Sequence, residues 1–94
     1  MDELFELIEE AKEYSGCRVK KEGEFYRLFE QETYIIQSFI EFIETNGYRV
    51  WIHEGPEIIE NTMFYGVLAE VVNKSELSEE EREGYTVICG ADYD

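Results

Sequence analysis

The sequence has few of the residues that build catalytic, metal or disulfide sites. Its 94 residues include two cysteines, one histidine and one proline. Two cysteines are too few for a disulfide scaffold, which favours a reducing cytosol. Cys17, Cys89 and His53 lack the spacing of a metal site, and no nucleophile motif surrounds a serine or cysteine. We therefore expect a protein that is not an enzyme, without a catalytic site, metal or cofactor.

Long apolar runs and a basic leader are also missing. No apolar run approaches the ~20 residues needed to cross a bilayer. The chain begins Met1-Asp2-Glu3, with no basic segment ahead of an apolar one, so no signal peptide is expected. These absences predict a cytoplasmic protein.

Basic residues are scarce relative to acids. Eight Lys and Arg stand against 23 Asp and Glu, for a formal net charge of −15. This charge attracts basic surfaces and repels nucleic acid and anionic lipid. We therefore expect neither nucleic acid nor membrane as a direct partner. The expected partner is a basic nucleic-acid-binding protein or a nuclease.

The composition nevertheless favours a folded domain. Acid-rich disordered chains are poor in aromatic and β-branched residues. This chain is 44% hydrophobic and 15% aromatic. Its length suits one small domain over residues 1–94, with one modest core.

Hydrophobic periodicity predicts two main helices. The first covers residues 2–14, with Asp2 as its N-cap and Ser15-Gly16 as its stop. The second covers residues 33–46, with Thr33 as its N-cap, and its wide apolar face makes it the expected core helix. Ser78-Glu79-Glu80-Glu81 matches a capping box, which predicts a short third helix.

Alternation of apolar and polar residues predicts the strands. They cover residues 17–21, 24–30, 48–53, 62–72 and 85–90, with turns at Glu22-Gly23 and Glu54-Gly55-Pro56. The resulting order is α-β-β-α-β-β-(short α)-β. It favours an α+β fold in which two helices pack on one face of a mostly antiparallel sheet.

The acids are concentrated at the two ends of the chain. Residues 1–15 hold six acids and one base, giving −5, and residues 61–94 hold eight acids and two bases, giving −6. The middle, 16–60, holds nine acids and five bases, giving −4. Two acidic poles therefore flank a nearly balanced centre.

The first helix carries its acids in a row, which we call the α1 stripe: Glu3, Glu6, Glu10 and Glu13. A rise of ~1.5 Å per residue spaces them ~4.5–6 Å apart along the axis. That interval is comparable with one or two steps of the ~3.4 Å phosphate spacing of a DNA strand. Solvation alone also produces acidic outer faces. Like charges at this spacing destabilise a helix, however, and Lys12 is its only base.

We predict that the acidic poles bind the partner. The predicted contact residues are Glu3, Glu6, Glu9, Glu10 and Glu13 at the first pole and Glu79, Glu80, Glu81, Glu83, Asp92 and Asp94 at the second. Exposed aromatics are further candidates, because aromatic residues often anchor interfaces. Those considered are Tyr14, Tyr26, Trp51 and Tyr93. Glu70 lies in an apolar run and is expected on the solvent side of its strand.

In composition the whole chain resembles the small acidic inhibitors encoded by phages and mobile elements, including anti-CRISPR proteins and other DNA mimics. The resemblance rests on size, aromatic content and acidity, and on no motif. It implies an inhibitor that occupies the DNA or RNA channel of a defence complex in the host cytoplasm.

Two alternatives stay open. An immunity protein that neutralises a basic nuclease toxin would use the same charge complementarity. A structural or adaptor domain would carry the acidity incidentally, and a free sheet edge could pair it with a second copy.

Overall fold

Two helices lie side by side on one face of a four-stranded antiparallel sheet, which confirms the expected α+β fold. The computed structural model describes residues 2–59 and 62–88. The elements are α1 (Glu3–Ser15), β1 (Arg18–Glu22), β2 (Phe25–Glu30), α2 (Thr33–Glu44), β3 (Tyr48–Ile58), β4 (Tyr65–Asn73), a 3-10 turn (Lys74–Glu76) and α3 (Glu79–Arg82). The strand order is β1-β2-β4-β3, with every neighbouring pair antiparallel.

The core lies between α2 and the sheet. On α2, the side chains of Ile36, Phe39, Ile40 and Ile43 are at most 1% exposed. They meet Leu28, Val50, Val67 and Ala69 of the strands, and α1 adds Ile8 and Ala11. Full burial of each large apolar side chain stabilises the fold by about 1.5–3 kcal/mol. The prediction that α2 is the central core helix is therefore correct.

The helix ends follow the sequence at α1 and differ at α2. The Asp2 carboxylate accepts a hydrogen bond from the Leu4 N–H at 3.0 Å, as expected of an N-cap. Gly16, with φ of 80°, ends α1. On α2 the N-cap is Glu32, in extended backbone and without a side-chain cap bond, because Thr33 is already helical. The predicted Thr33 cap is therefore wrong.

The first hairpin turns one residue later than predicted. Glu22 pairs with Phe25, so Gly23 and Glu24 form the two-residue loop and Glu24 lies outside β2. Gly23 has φ of 64°, a conformation that suits glycine. Cys17 lies before β1 rather than within it.

The predicted turn at Glu54-Gly55-Pro56 is instead part of β3. The strand continues to Ile58 through two register shifts, between Ile52 and Glu54 and between Glu54 and Glu57. Gly55 has φ of 91°, and a Cβ there would collide with the carbonyl oxygen of Gly66. A proline is tolerated in β3 because it is an edge strand with bulges.

The fourth strand starts later than predicted. Residues 62 and 63 precede β4, which begins at Tyr65. The Thr62 hydroxyl donates to the Ile59 carbonyl at 2.8 Å and accepts from the Phe64 N–H at 3.1 Å. These local bonds hold Thr62 in a turn instead of a strand ladder.

Residues 85–88 are not a strand, in contrast to the prediction for 85–90; residues 89 and 90 lie outside the described residues. Backbone groups of residues 85–88 bond to side chains of α2 instead of to a neighbouring strand. Gln37 donates to the Thr86 carbonyl at 2.8 Å and accepts from the Ile88 N–H at 2.7 Å. The Thr86 hydroxyl donates to the Val50 carbonyl at 2.6 Å. The segment is therefore tied to α2 and β3 without pairing as a strand.

Glu44 is the buried ionisable group at this junction, with no exposed surface. One carboxylate oxygen accepts from the Thr86 N–H at 2.8 Å and the other from the Val50 N–H at 2.9 Å. An Arg49 guanidinium nitrogen lies 3.6 Å from the second oxygen and donates to the Gly84 carbonyl at 2.6 Å. This carboxylate joins the end of α2 to β3 and to the chain after α3.

We predict that Glu44→Ala destabilises the protein by about 3 kcal/mol, because it removes the ion-pair partner of Arg49 and leaves two backbone N–H groups without their acceptor. Glu44→Gln should also destabilise it, because each of two N–H groups uses its own oxygen and an amide offers only one. Urea unfolding measures both.

Glu41→Gln is the control. Glu41 lies one turn earlier on α2 and is exposed. Its substitution should change the free energy of unfolding by less than about 0.5 kcal/mol. Equal effects at positions 41 and 44 would contradict the role assigned to Glu44.

Candidate partner-binding surface

The α1 stripe lies on the outer side of its helix. Ile8 and Ala11 point into the core, and Leu4 and Leu7 pack against it. The carboxylate-bearing residues Glu3, Glu6, Glu10 and Glu13 are exposed, as is Glu9. The buried side fixes α1 against α2 and the sheet, so the stripe is carried on a rigid support.

Within the described residues, no ion pair neutralises the α1 stripe. Lys12 lies 3.3 Å from Glu9, beside the stripe. Among the described residues, none of the ion pairs involves Glu3, Glu6, Glu10 or Glu13. Four carboxylates in a row are therefore open to cations from another molecule.

The second acidic pole is built on the short helix α3. The predicted capping box is confirmed: the Ser78 hydroxyl accepts from the Glu81 N–H, and the Glu81 carboxylate accepts from the Ser78 N–H. Arg82 donates to the carbonyls of Lys74 and Leu77, at 2.9 and 3.1 Å. The Glu81 carboxylate is therefore engaged in the capping box. Glu79, Glu80 and Glu83 are exposed and form no ion pair in the described part of the chain.

The two poles lie at opposite edges of the sheet. A pocket on α1 is lined by Val19 and Lys21 of β1 and Tyr26 of β2. A cleft beside α3 is lined by residues of β3, including Trp51. Because β1 and β3 are the outermost strands, the α1 stripe and the described acids of α3 do not form one continuous row. Asp92 and Asp94 lie outside the described residues.

The α3 cleft combines an aromatic ring with carboxylates. Trp51, 38% exposed, lines it together with Glu80, Glu81, Glu83 and Val87, and the cavity measures about 470 Å³. An aromatic face beside carboxylates suits an Arg or Lys side chain. The sequence analysis predicted Trp51 and the glutamates as separate contact candidates. Only the packing of α3 beside β3 brings them into one cleft.

The remaining nominated aromatics differ in exposure. Tyr14 is 70% exposed and its ring lies 5.0 Å from that of Phe42. Tyr26 is partly buried, and burial, together with the nearby Asp2 charge, raises its pKa. Tyr93 lies outside the described residues. Of the aromatics considered from the sequence, Tyr14 is therefore the one exposed on α1.

His53 and Glu70 form a pair that the sequence did not reveal. The His53 Nε2 lies 3.0 Å from a Glu70 carboxylate oxygen, and the Phe25 ring lies 4.7 Å from the imidazole. Both side chains are more than 40% exposed. They lie on the sheet face opposite the helices, as expected for Glu70, and no described serine or cysteine accompanies them in a nucleophile arrangement.

Cys17 is buried and chemically protected. Burial raises the pKa of its thiol to about 12, and the nearby Glu30 carboxylate acts in the same direction. The thiolate is the reactive form of cysteine, so the folded protein suppresses its reactivity. Cys89 lies outside the described residues.

The described residues 2–59 and 62–88 contain no cluster of three or more His, Cys, Asp or Glu side chains arranged to hold a metal ion. Within the same residues, no helix combines the length and apolarity needed to cross a membrane.

Comparisons with protein-family models, curated proteins and solved structures find no match to this chain.

We predict that a Cys89→Ser variant, which leaves Cys17 as the only thiol, reacts with iodoacetamide at pH 8 at least about 100-fold more slowly folded than unfolded in urea. Rates within about fivefold of each other would contradict protection by burial. The pKa of the Cys17 thiol is higher in the folded than in the unfolded protein, so burial of the neutral thiol also stabilises the fold. This stabilisation is complete below pH ~8.5 and is lost as pH rises towards 12.

Proposed function

We propose that this protein is an acidic inhibitor that binds the basic nucleic-acid-binding surface of a target protein through the α1 stripe and competes with DNA or RNA. The observation that carries the proposal is the row of four exposed carboxylates on α1, none of them paired within the described residues. Its support by the core gives the row a fixed geometry, which a phosphate-binding groove requires.

The competing explanation is that the row is only a solvated surface. A solvated helix face commonly intersperses both charge signs, because Glu–Lys pairs stabilise helices. Among the residues that the structure describes, none of the four stripe residues forms such a pair. The unpaired charge therefore supports binding to a cationic partner.

The second pole contributes a separate contact. The α3 cleft, with Trp51 beside Glu80 and Glu83, accepts one Arg or Lys side chain of the target. Since the poles lie at opposite sheet edges, one target groove that reaches both would have to extend around the protein. The α1 stripe is the primary contact because it is the longer row.

The first experiment captures the target from host lysate on the immobilised protein, followed by elution with a salt gradient. We expect a nucleic-acid-binding protein or nuclease that is released by salt and displaced by its own DNA or RNA, because complementary charges carry the association. A target that does not handle nucleic acid would overturn the proposal. Identification as a nuclease toxin would assign the immunity form of the same mechanism.

The second experiment replaces Glu3, Glu6, Glu10 and Glu13 together by Gln. We expect the affinity for the captured target to fall at least about tenfold at ~0.1 M salt. The free energy of unfolding should stay unchanged or increase, because like charges on α1 are removed.

A matched variant replaces Glu24, Glu32, Glu41 and Glu76 by Gln. These four residues are exposed and are not among the predicted contact residues, and their substitution removes the same total charge. Affinity of this variant should stay within about threefold of the parent protein. Equal losses in the two variants would show that net charge, and not the α1 stripe, governs the association.

A further inference from the structure

The sheet face opposite α1 and α2, which we call the open face, carries a row of partly exposed apolar side chains. They are Phe25, Phe29, Phe64, Leu68 and Val72, together with Trp51, which pairs with Glu70 in the register. The Phe29 and Phe64 rings meet edge to face at 6.0 Å, and Arg18 lies 4.9 Å from the centre of the Phe64 ring. Neither α1 nor α2 covers this face, since both pack on the other side of the sheet.

The open face is also close to neutral in charge. The ladder register and side-chain contacts place Arg18, Lys20 and Arg27 here, with Glu22, Glu54, Glu57 and Glu70. Three bases and four acids give −1, against −15 for the whole chain. Two copies of a strongly acidic protein repel one another least where they approach by this face.

The charges on the open face are sorted by strand. The three bases counted lie on β1 and β2, whereas three of the four acids lie on β3 and β4. Arg49 of β3, opposite Val72 in the register, is not counted because its guanidinium is bound to Glu44 and to the Gly84 carbonyl. Across the sheet, Lys20 falls in the same row as Arg27, Leu68 and Glu54. Arg18 likewise falls in a row that ends at Glu57.

We propose that two copies of this chain pack by their open faces, related by a two-fold axis parallel to the strands. That rotation keeps each residue at the same level along the strands and reverses the strand order across the sheet. As a result, β1 of one copy lies over β3 of the other. Lys20 then faces Glu54 of the second copy, Arg18 faces Glu57, and each contact occurs twice. The arrangement is the aligned packing of two sheets.

The size of the face suits a weak dimer. Four strands ~4.8 Å apart, each spanning roughly 17–36 Å at ~3.3 Å per residue, give on the order of 500 Å² per copy. The total, ~1,000 Å², reaches the lower bound for a specific interface. A groove of about 610 Å³, lined by Lys20, Phe29, Glu54, Glu57 and Ile58, gives the face the concave shape that can receive the β1 edge of the second copy.

This surface differs from a sheet-edge contact. The β1 edge carries Lys20 and Lys21, and lysines on edge strands oppose edge pairing. On the β3 edge, the Val50 carbonyl already accepts from Thr86. Face packing leaves both α1 stripes outward, so it does not depend on the proposed function.

The test is sedimentation equilibrium from about 1 to about 100 µM protein, a range that spans a micromolar dissociation constant. The apparent mass should rise from 11.1 kDa towards twice that value. Lys20→Glu, which sets two acids face to face, should raise the dissociation constant at least about tenfold. Adding Glu54→Lys should restore it to within about threefold, because the pair between the copies is reversed. Arg27 then loses Glu54, which lies 3.9 Å away in the same copy, but keeps Glu22 at 3.4 Å.

Lys21→Glu is the matched control, because Lys21 is the next residue of β1 and lies on the helix side of the sheet. It should leave the dissociation constant unchanged, and circular dichroism should show all variants folded. A monomer throughout the range would overturn the proposal. So would equal weakening by Lys20→Glu and Lys21→Glu, which would indicate edge pairing, or a double variant that stays as weak as Lys20→Glu.

Discussion

The hydrogen bonds of the buried Glu44 carboxylate are the interactions on which the surface around α3 depends. It binds the backbone of β3 at Val50 and that of the final described segment at Thr86. Arg49, beside it, holds Gly84 just after α3. A carboxylate buried without these partners would be strongly unfavourable. The need to satisfy it fixes residues 84–88, and with them α3, against the edge of β3.

This constraint explains how a small acidic chain presents an ordered surface at its second pole. The four residues of α3 are too few to be a stable helix alone. Their capping box, the Arg82 bonds to the preceding turn and the tether at Gly84 hold them in place. Trp51 then meets the glutamates in one cleft. At the first pole, burial of Ile8 and Ala11 gives the α1 stripe comparable support.

The charge is sorted between the two sides of the molecule. Its helix side carries the α1 stripe, while the open face is close to neutral and rich in phenylalanine. Because the charge is concentrated on one side, the helix side can attract a basic partner, while the open face can pack against another apolar surface. The α1 stripe and the open face are therefore different surfaces, so the primary contact of the proposed inhibitor and the proposed dimer do not use the same residues.

The sequence by itself determined the α+β class, the two main helices and the composition of the α1 stripe, because helix periodicity and capping are local properties. It could not reveal the continuation of β3 through Gly55, which depends on the close approach of the Gly66 carbonyl. Nor could it reveal that residues 85–88 bond to Gln37 and Glu44, because those contacts span more than 40 residues. The separation of the acidic poles was likewise decided by strand order, a tertiary property.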